Sequence, residues 1–140
     1  MTTKADVERW MRGVVPYLTI KGAEAAVAFY QRAFAAVLHG DIAKEADGRV
    51  MNAVLLINGG AYMLMDPFVE RGSPPDGVSS NGLMLMISTL EADMWWARAV
   101  AAGCEVVMPI KLEFWGDRFG LLRDPFGIHW GILEPGDTAA

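Results

Sequence analysis

The sequence predicts an α+β fold made of two tandem βαβββ modules, and three observations carry that prediction. Apolar residues recur at three- and four-residue spacing in two stretches, Ala23 to Ala36 and Glu91 to Ala102, as they do along one face of an amphipathic helix. Each stretch is preceded by one short apolar, strand-like run and followed by three more. Between the two sets lies Pro67 to Asn81 (PFVERGSPPDGVSSN), rich in Pro, Gly and Ser and without periodicity.

In chain order, Val14 to Ile20 (VVPYLTI) reads as a strand ended by the Lys21-Gly22 turn, and the first helix follows it. Leu38 to Glu45, Arg49 to Ile57 and Ala61 to Asp66 read as strands separated by Asp47-Gly48 and Asn58-Gly59-Gly60, both turn formers. After the Pro-rich stretch, which reads as a linker or mobile loop, the order repeats. Leu83 to Ser88 is a strand, the second helix opens near Thr89 as N-cap and stops at Gly103, and strands follow near Glu105 to Pro109, Leu112 to Arg123 and His129 to Leu133. The expected organisation is an N-terminal extension (1–13), module one (14–66), linker (67–81), module two (82–135) and a C-terminal tail (136–140). Residue identity between the modules is faint, so the repeat rests on element order.

Composition limits what such a chain does. With 140 residues, one domain is expected. A formal net charge of −5 without a Lys/Arg run lacks the electrostatic footprint of a nucleic-acid binder. No apolar run approaches the roughly 18 residues of a membrane span, and Met1 to Met11 does not read as a signal peptide. The lone Cys104 leaves no internal disulfide and no thiolate cluster for zinc, which suits a reducing compartment. A cytoplasmic protein with no nucleic-acid and no membrane partner is expected. Five Trp and nine Met exceed the needs of a small core, so some are expected to line a ligand cavity or a subunit interface.

Three motifs then add a family. PYLTIKG followed by AVAFYQRAFAA, DGRVMNAVLLINGGAYMLMD, and FWGDRFGLLRDPFGIHWGI resemble the vicinal oxygen chelate superfamily of glyoxalases, bleomycin-resistance proteins and dioxygenases, in its PhnB-like branch. The resemblance runs from about Val14 to Leu133. It implies a cupped, eight-stranded mixed sheet, a homodimer, and a site inside the cup where metal-dependent members hold a divalent ion with four inward His, Gln or Glu side chains. Carried onto this chain, the four positions are Val15, Leu64, Met84 and Gly131, and a slip of one residue brings in Pro16, Met63 or Met65, Leu83 or Leu85, and Trp130 or Ile132. None of these supplies an adequate donor set, so no metal is expected.

Counting by twos from those positions turns Tyr17, Thr19, Tyr62, Asp66, Met86, Ser88 and His129 toward the cup. His129 is the candidate acid/base, since imidazole titrates near neutral pH; the alternative is a hydrogen-bonded structural histidine. Asn52 stands where the resemblance implies His, and is either a ligand contact or a strand-pairing amide. Trp115 with Asp117 and Arg118 offers a clamp, the indole stacking and the guanidinium holding an anion; the same residues also suit a plain hairpin turning at Gly116. Tyr17 and Tyr62 complete the expected ligand contacts. The function expected is binding of a small organic molecule without metal. A glyoxalase-type lyase or isomerase, and a structural dimer without ligand, are the alternatives.

Overall fold

The computed structural model describes residues 2–78 and 82–137. The chain divides into two compact units, Met1–Gln31 with Ala35–Val78, and Arg32–Phe34 with Ser79–Ala140. Each carries one four-stranded mixed sheet, so the α+β prediction of two βαβββ modules holds.

In the first unit the sheet order is β1-β4-β3-β2, from β1 (Tyr17–Thr19), β2 (Val37–Lys44), β3 (Val50–Ile57) and β4 (Gly60–Met65). β1 and β4 run parallel and the other neighbours antiparallel. β1 is shorter than the expected Val14 to Ile20 because Pro16 has no N–H; only its carbonyl reaches the sheet, accepting from Met63 N at 2.9 Å. Helix α2 (Ala23–Phe34) lies on one side, burying Ala26, Val27, Phe29, Tyr30 and Ala33.

Within the N-terminal extension Lys4–Arg9 forms a helix, α1. A capping box closes its start: Asp6 N donates to Thr3 Oγ1 at 3.1 Å and Thr3 N to Asp6 Oδ2 at 2.9 Å. The expected mobile linker is also structured as far as residue 78. Phe68 is fully buried beneath the guanidiniums of Arg49 and Arg71, at 4.2 and 4.8 Å, and Val78 N donates to Thr19 O at 2.7 Å. Residues 79–81 lie outside the described residues.

The second unit repeats the order as β5-β8-β7-β6, from β5 (Met84–Ser88), β6 (Glu105–Leu112), β7 (Arg118–Arg123) and β8 (His129–Glu134). α3 (Ala92–Ala102) ends at Gly103 in the left-handed conformation, as expected. Its start differs. Glu91 is the N-cap, and Thr89 Oγ1 accepts from Glu91 N, two positions too early to cap the helix.

Leu112 to Arg123 is not one strand. Leu112 ends β6 and Arg118 begins β7, because Gly116 at φ 99° turns the chain and Glu113 N donates to Asp117 O. The Asp124-Pro125-Phe126-Gly127 turn is held by buried Asp124, whose Oδ1 accepts from Phe126 N and Ile128 N and whose Oδ2 accepts from Trp130 Nε1 at 2.9 Å. Among the described residues, no helix is long and apolar enough to cross a membrane.

Candidate functional site

Strand pairing fixes which side chains share a face, because residues directly opposite one another on neighbouring strands point the same way. In the first sheet Tyr17 pairs with Met63, Thr19 with Met65, and Val54 with Met63. These residues lie on the face away from α2. Leu18, Ala53, Leu55, Tyr62 and Leu64 face α2 and are buried.

The expected cup-facing set is therefore corrected on β4. Tyr62 is only 3% exposed, and its hydroxyl donates to that of Tyr30 on α2 at 3.2 Å, with the rings edge-on. Leu64 is fully buried and Asp66 reaches the start of α2. Met63 and Met65 occupy the other face. β4 reads Gly-Ala-Tyr-Met-Leu-Met, apolar on both sides, so alternation carries no sign of which side is inward. Val15 precedes β1 and is not part of the sheet.

Tyr17 and Asn52 do come together. Tyr17 is 46% exposed; its hydroxyl accepts from Asn52 Nδ2 at 3.0 Å and donates to Met51 O at 3.1 Å. The phenol thus spans β4 with a fixed polar tip, flanked by the thioethers of Met63 and Met65. At the β2 side the same face is covered by α1. His39 pairs with Val54, and its Nε2 lies 3.2 Å from Asp6 Oδ2 with Trp10 edge-on to its ring. The T-x-x-D of the capping box was the available clue to the helix that covers His39.

In the second sheet Met84 pairs with His129, Met86 with Gly131, Leu121 with Gly131 and Arg123 with His129. All lie on the face away from α3, as expected for Met84, Met86, Gly131 and His129. The other side carries Leu122, Trp130 and Ile132, all buried.

Arg118 lies on the α3 side. It binds Asp93 at 2.6 Å and Glu134 at 3.3 Å, and the Asp93 carboxylate holds the guanidinium above its usual range. Trp115 is half-exposed and leans on Phe119, 6.4 Å between ring centroids, which faces away from α3. The imagined clamp is therefore split between the two faces, and Asp117 is occupied in accepting from Gly136 N at 2.9 Å. On α3, Trp95 is buried and Trp96 fills the space over Gly120.

Cys104 is buried, and desolvation pushes its thiol up to about 12, which leaves it protonated and unreactive. A depression of about 270 Å³ lined by Gly103, Glu105, Arg123 and Asp124 contains none of the candidate residues, and Arg123 there is bonded to Glu105 at 2.7 Å.

Val15, Leu64, Met84 and Gly131, the positions that the resemblance implies for a divalent ion, carry no imidazole, carboxylate or thiolate, and the structure leaves Val15 outside the sheet and turns Leu64 toward α2. Among the described residues no group of three or more His, Cys, Asp and Glu is placed to hold one.

Two βαβββ units, each with one four-stranded mixed sheet, are the architecture of a class of small α+β proteins. The chain belongs to the Glyoxalase/Bleomycin resistance protein/Dioxygenase superfamily, whose model matches residues 14–132. It is 33% identical to an uncharacterised protein of Mycobacterium bovis over 124 residues, 86% of this chain and 81% of that one. Among solved structures, protein PA1353 of Pseudomonas aeruginosa superposes with a TM-score of 0.70 at 27% identity, covering 90% of this chain and 99% of that one. A PhnB protein of Bacillus cereus does so with a TM-score of 0.62 at 23% identity, covering 88% and 99%, a likeness that shows the fold alone.

Proposed function

We propose that this superfamily member, of the PhnB-like branch, binds a small organic molecule against the sheet faces away from its helices and does so without the superfamily's divalent ion. The observation that carries this reading is the Tyr17–Asn52 pair: a half-exposed phenol held by an amide at 3.0 Å, standing on a wall of methionine. An apolar wall with a few placed polar groups is how proteins hold small organic ligands. Met63 and Met65 supply adaptable apolar surface beside the phenol, and the Asn52 amide offers both donor and acceptor. Tyr62 and Arg118 have no part in this site, one being in the core and the other paired on the opposite side.

A homodimer fits the reading, since Tyr17, Met84, Met86 and Met108 leave apolar surface half-exposed. The free, buried Cys104 suits the reducing cytoplasm. Neither nucleic acid nor membrane is a partner in this reading. A second reading, a glyoxalase-type lyase or isomerase, is favoured by one feature only: the register turns His129 to the same face as Met84.

Native mass spectrometry with elemental analysis on protein purified without chelator tests the first reading. A dimer with an organic adduct and no stoichiometric zinc, nickel or manganese is expected. Asn52→Ala should weaken adduct binding roughly five- to tenfold, the worth of about one hydrogen bond. One equivalent of a divalent ion per chain, or adduct binding indifferent to Asn52, would overturn it.

A further inference from the structure

Of the residues of α1 only Asp6, a charged one, is buried, while Ala5 and Val7 are exposed. A helix of this length does not hold itself together in water, and surface helices ordinarily dock by an apolar stripe. The polar tethers of α1 to the sheet are two: Asp6 Oδ2 lies 3.2 Å from His39 Nε2 on β2, and Ala61 N on β4 donates to Trp10 O at 3.1 Å. The Trp10 indole reaches across to His39, edge-on with 5.0 Å between ring centroids. The segment thus crosses the face away from α2 from β4 to β2. Val54 and Ala61 on that stretch of the face are buried, while Tyr17 on the same face stays half-exposed. Beyond Trp10 the chain runs through Arg12, Gly13 and Val14, all exposed, before the Pro16 carbonyl meets the sheet. Gly13 sits at φ 72° with nothing within 4 Å of an added Cβ, so the chain can pivot there.

We propose that α1 is a strap over the ligand side of the first sheet, latched while His39 is protonated and loosened when His39 gives up its proton. A protonated imidazole donates from both nitrogens and gives the Asp6 carboxylate a counter-charge; a neutral one leaves a carboxylate under the strap without one. An ordinary imidazole makes that change near about pH 6.5. The Asp6 carboxyl is held below its usual range, chiefly by the Thr3 backbone N–H and also by His39, so it stays charged while the ring titrates. A strap that favours the protonated ring is tightest on the acid side and loses that contribution as pH rises.

The elements packed against His39 are α1 and β3. β3 presents Val54, which is uncharged. α1 presents Asp6, with the Arg9 guanidinium 4.8 Å from the Trp10 ring and with Lys4 and Glu8 exposed. On β2 itself Asp41 is exposed and Lys44 is bonded to Glu24 at 2.9 Å. That the strap narrows access to Tyr17 and Asn52 rests on the organic-ligand reading; its movement does not and is measured without ligand, so either can fail alone.

Fluorine NMR on the full chain labelled with 5-fluorotryptophan follows the strap, with a soluble gadolinium chelate as the probe of solvent access. The Trp10 signal is the one missing in Trp10→Phe. Between about pH 5.5 and about pH 8.5, loss of a partly exposed ion pair should lower the docked-to-released ratio about two- to fivefold. Broadening of Trp10 by the chelate should rise with it, while Trp95 and Trp130, both buried, should not change. His39→Leu should show the high broadening at both pH values, and His39→Arg, which keeps its charge, the low broadening at both. The proposal is overturned if Trp10 broadens equally at the two pH values in the wild type, or if either His39 variant shows the wild-type rise.

Discussion

Gly120 and Gly131 lie on neighbouring strands and face opposite sides of the second sheet, and their surroundings respond differently to an added methyl group. A Cβ on Gly120 would stand 2.5 Å from Trp96 Cζ3 and 2.8 Å from the backbone Cα of Ile110. A strand backbone cannot retreat as a side-chain end can, so Gly120→Ala should cost about 1–3 kcal/mol, read as a lower urea midpoint with unchanged slope. On Gly131 the same methyl meets only the far ends of Met84, Met86 and Phe119, and Gly131→Ala should cost less than Gly120→Ala. An equal loss at the two positions would show that the closeness of Ile110 does not matter. Neither role was legible beforehand, since Gly120 and Trp96 are far apart in the chain and nothing local links them. Tyr17 and Asn52 were each singled out from the sequence, but their hydrogen bond joins residues 35 apart and had to be seen.

Each module closes in the same way at its helix. Asp66, just past the end of β4, accepts from Gly22 N and Ala23 N at 3.0 Å and from Val50 N at 2.7 Å. At the end of β8, Glu134 accepts from Ala92 N at 3.3 Å. A carboxylate carried in by the last strand thus meets the first turn of α2 and of α3, where unpaired N–H groups and the helix dipole favour negative charge. Gly22 at the N-cap of α2 has no side chain to do this, and Asp66 supplies the carboxylate in its place. Asp66→Ala should destabilise by about 1–3 kcal/mol, and Asp66→Asn by less, because the amide oxygen still accepts. Thermal melts of the two variants check the order; a reversed order would mean that charge and acceptor are not what the position supplies. The helices were legible because their apolar stripes are local and periodic, and the turns because Gly and Asp name them. α1 was missed because its six residues, four of them charged, are too few to show a stripe, and the inward side of β4 because both of its sides are apolar.

For the molecule as a whole, the family and the two-module order were readable from three motifs, while the facing of β4 and the partner of Arg118 depended on long-range pairing. Electrostatics acts on the whole chain too. Asp6, Asp47, Glu70 and Asp93 are each held below the usual carboxyl value, by the backbone hydrogen bond from Thr3, that from Arg49, the residue's own backbone N–H, and the Arg118 guanidinium, respectively. A carboxyl depressed in the folded state stabilises at pH values above its unfolded pKa, near 3.9–4.3, and that contribution fades as pH falls through the folded value. Urea midpoints should therefore decline below about pH 4, less steeply in Asp93→Asn, and the difference between the two should shrink in high salt because the Asp93 carboxylate is exposed. A pH profile identical in wild type and variant would remove Asp93 from the account.

The carboxylate caps also bear on how the chain acquires its structure as it is made. The cap on α2 joins residues 44 apart and the cap on α3 residues 42 apart, so each helix start waits for almost the entire module behind it to be synthesised. A growing chain that has just passed Phe34 holds a helix whose first turn is still open to water, and only when Asp66 emerges does the module close. The smallest piece that matures during synthesis is then a whole βαβββ module rather than a helix or a hairpin, and the ribosome delivers two such pieces in succession.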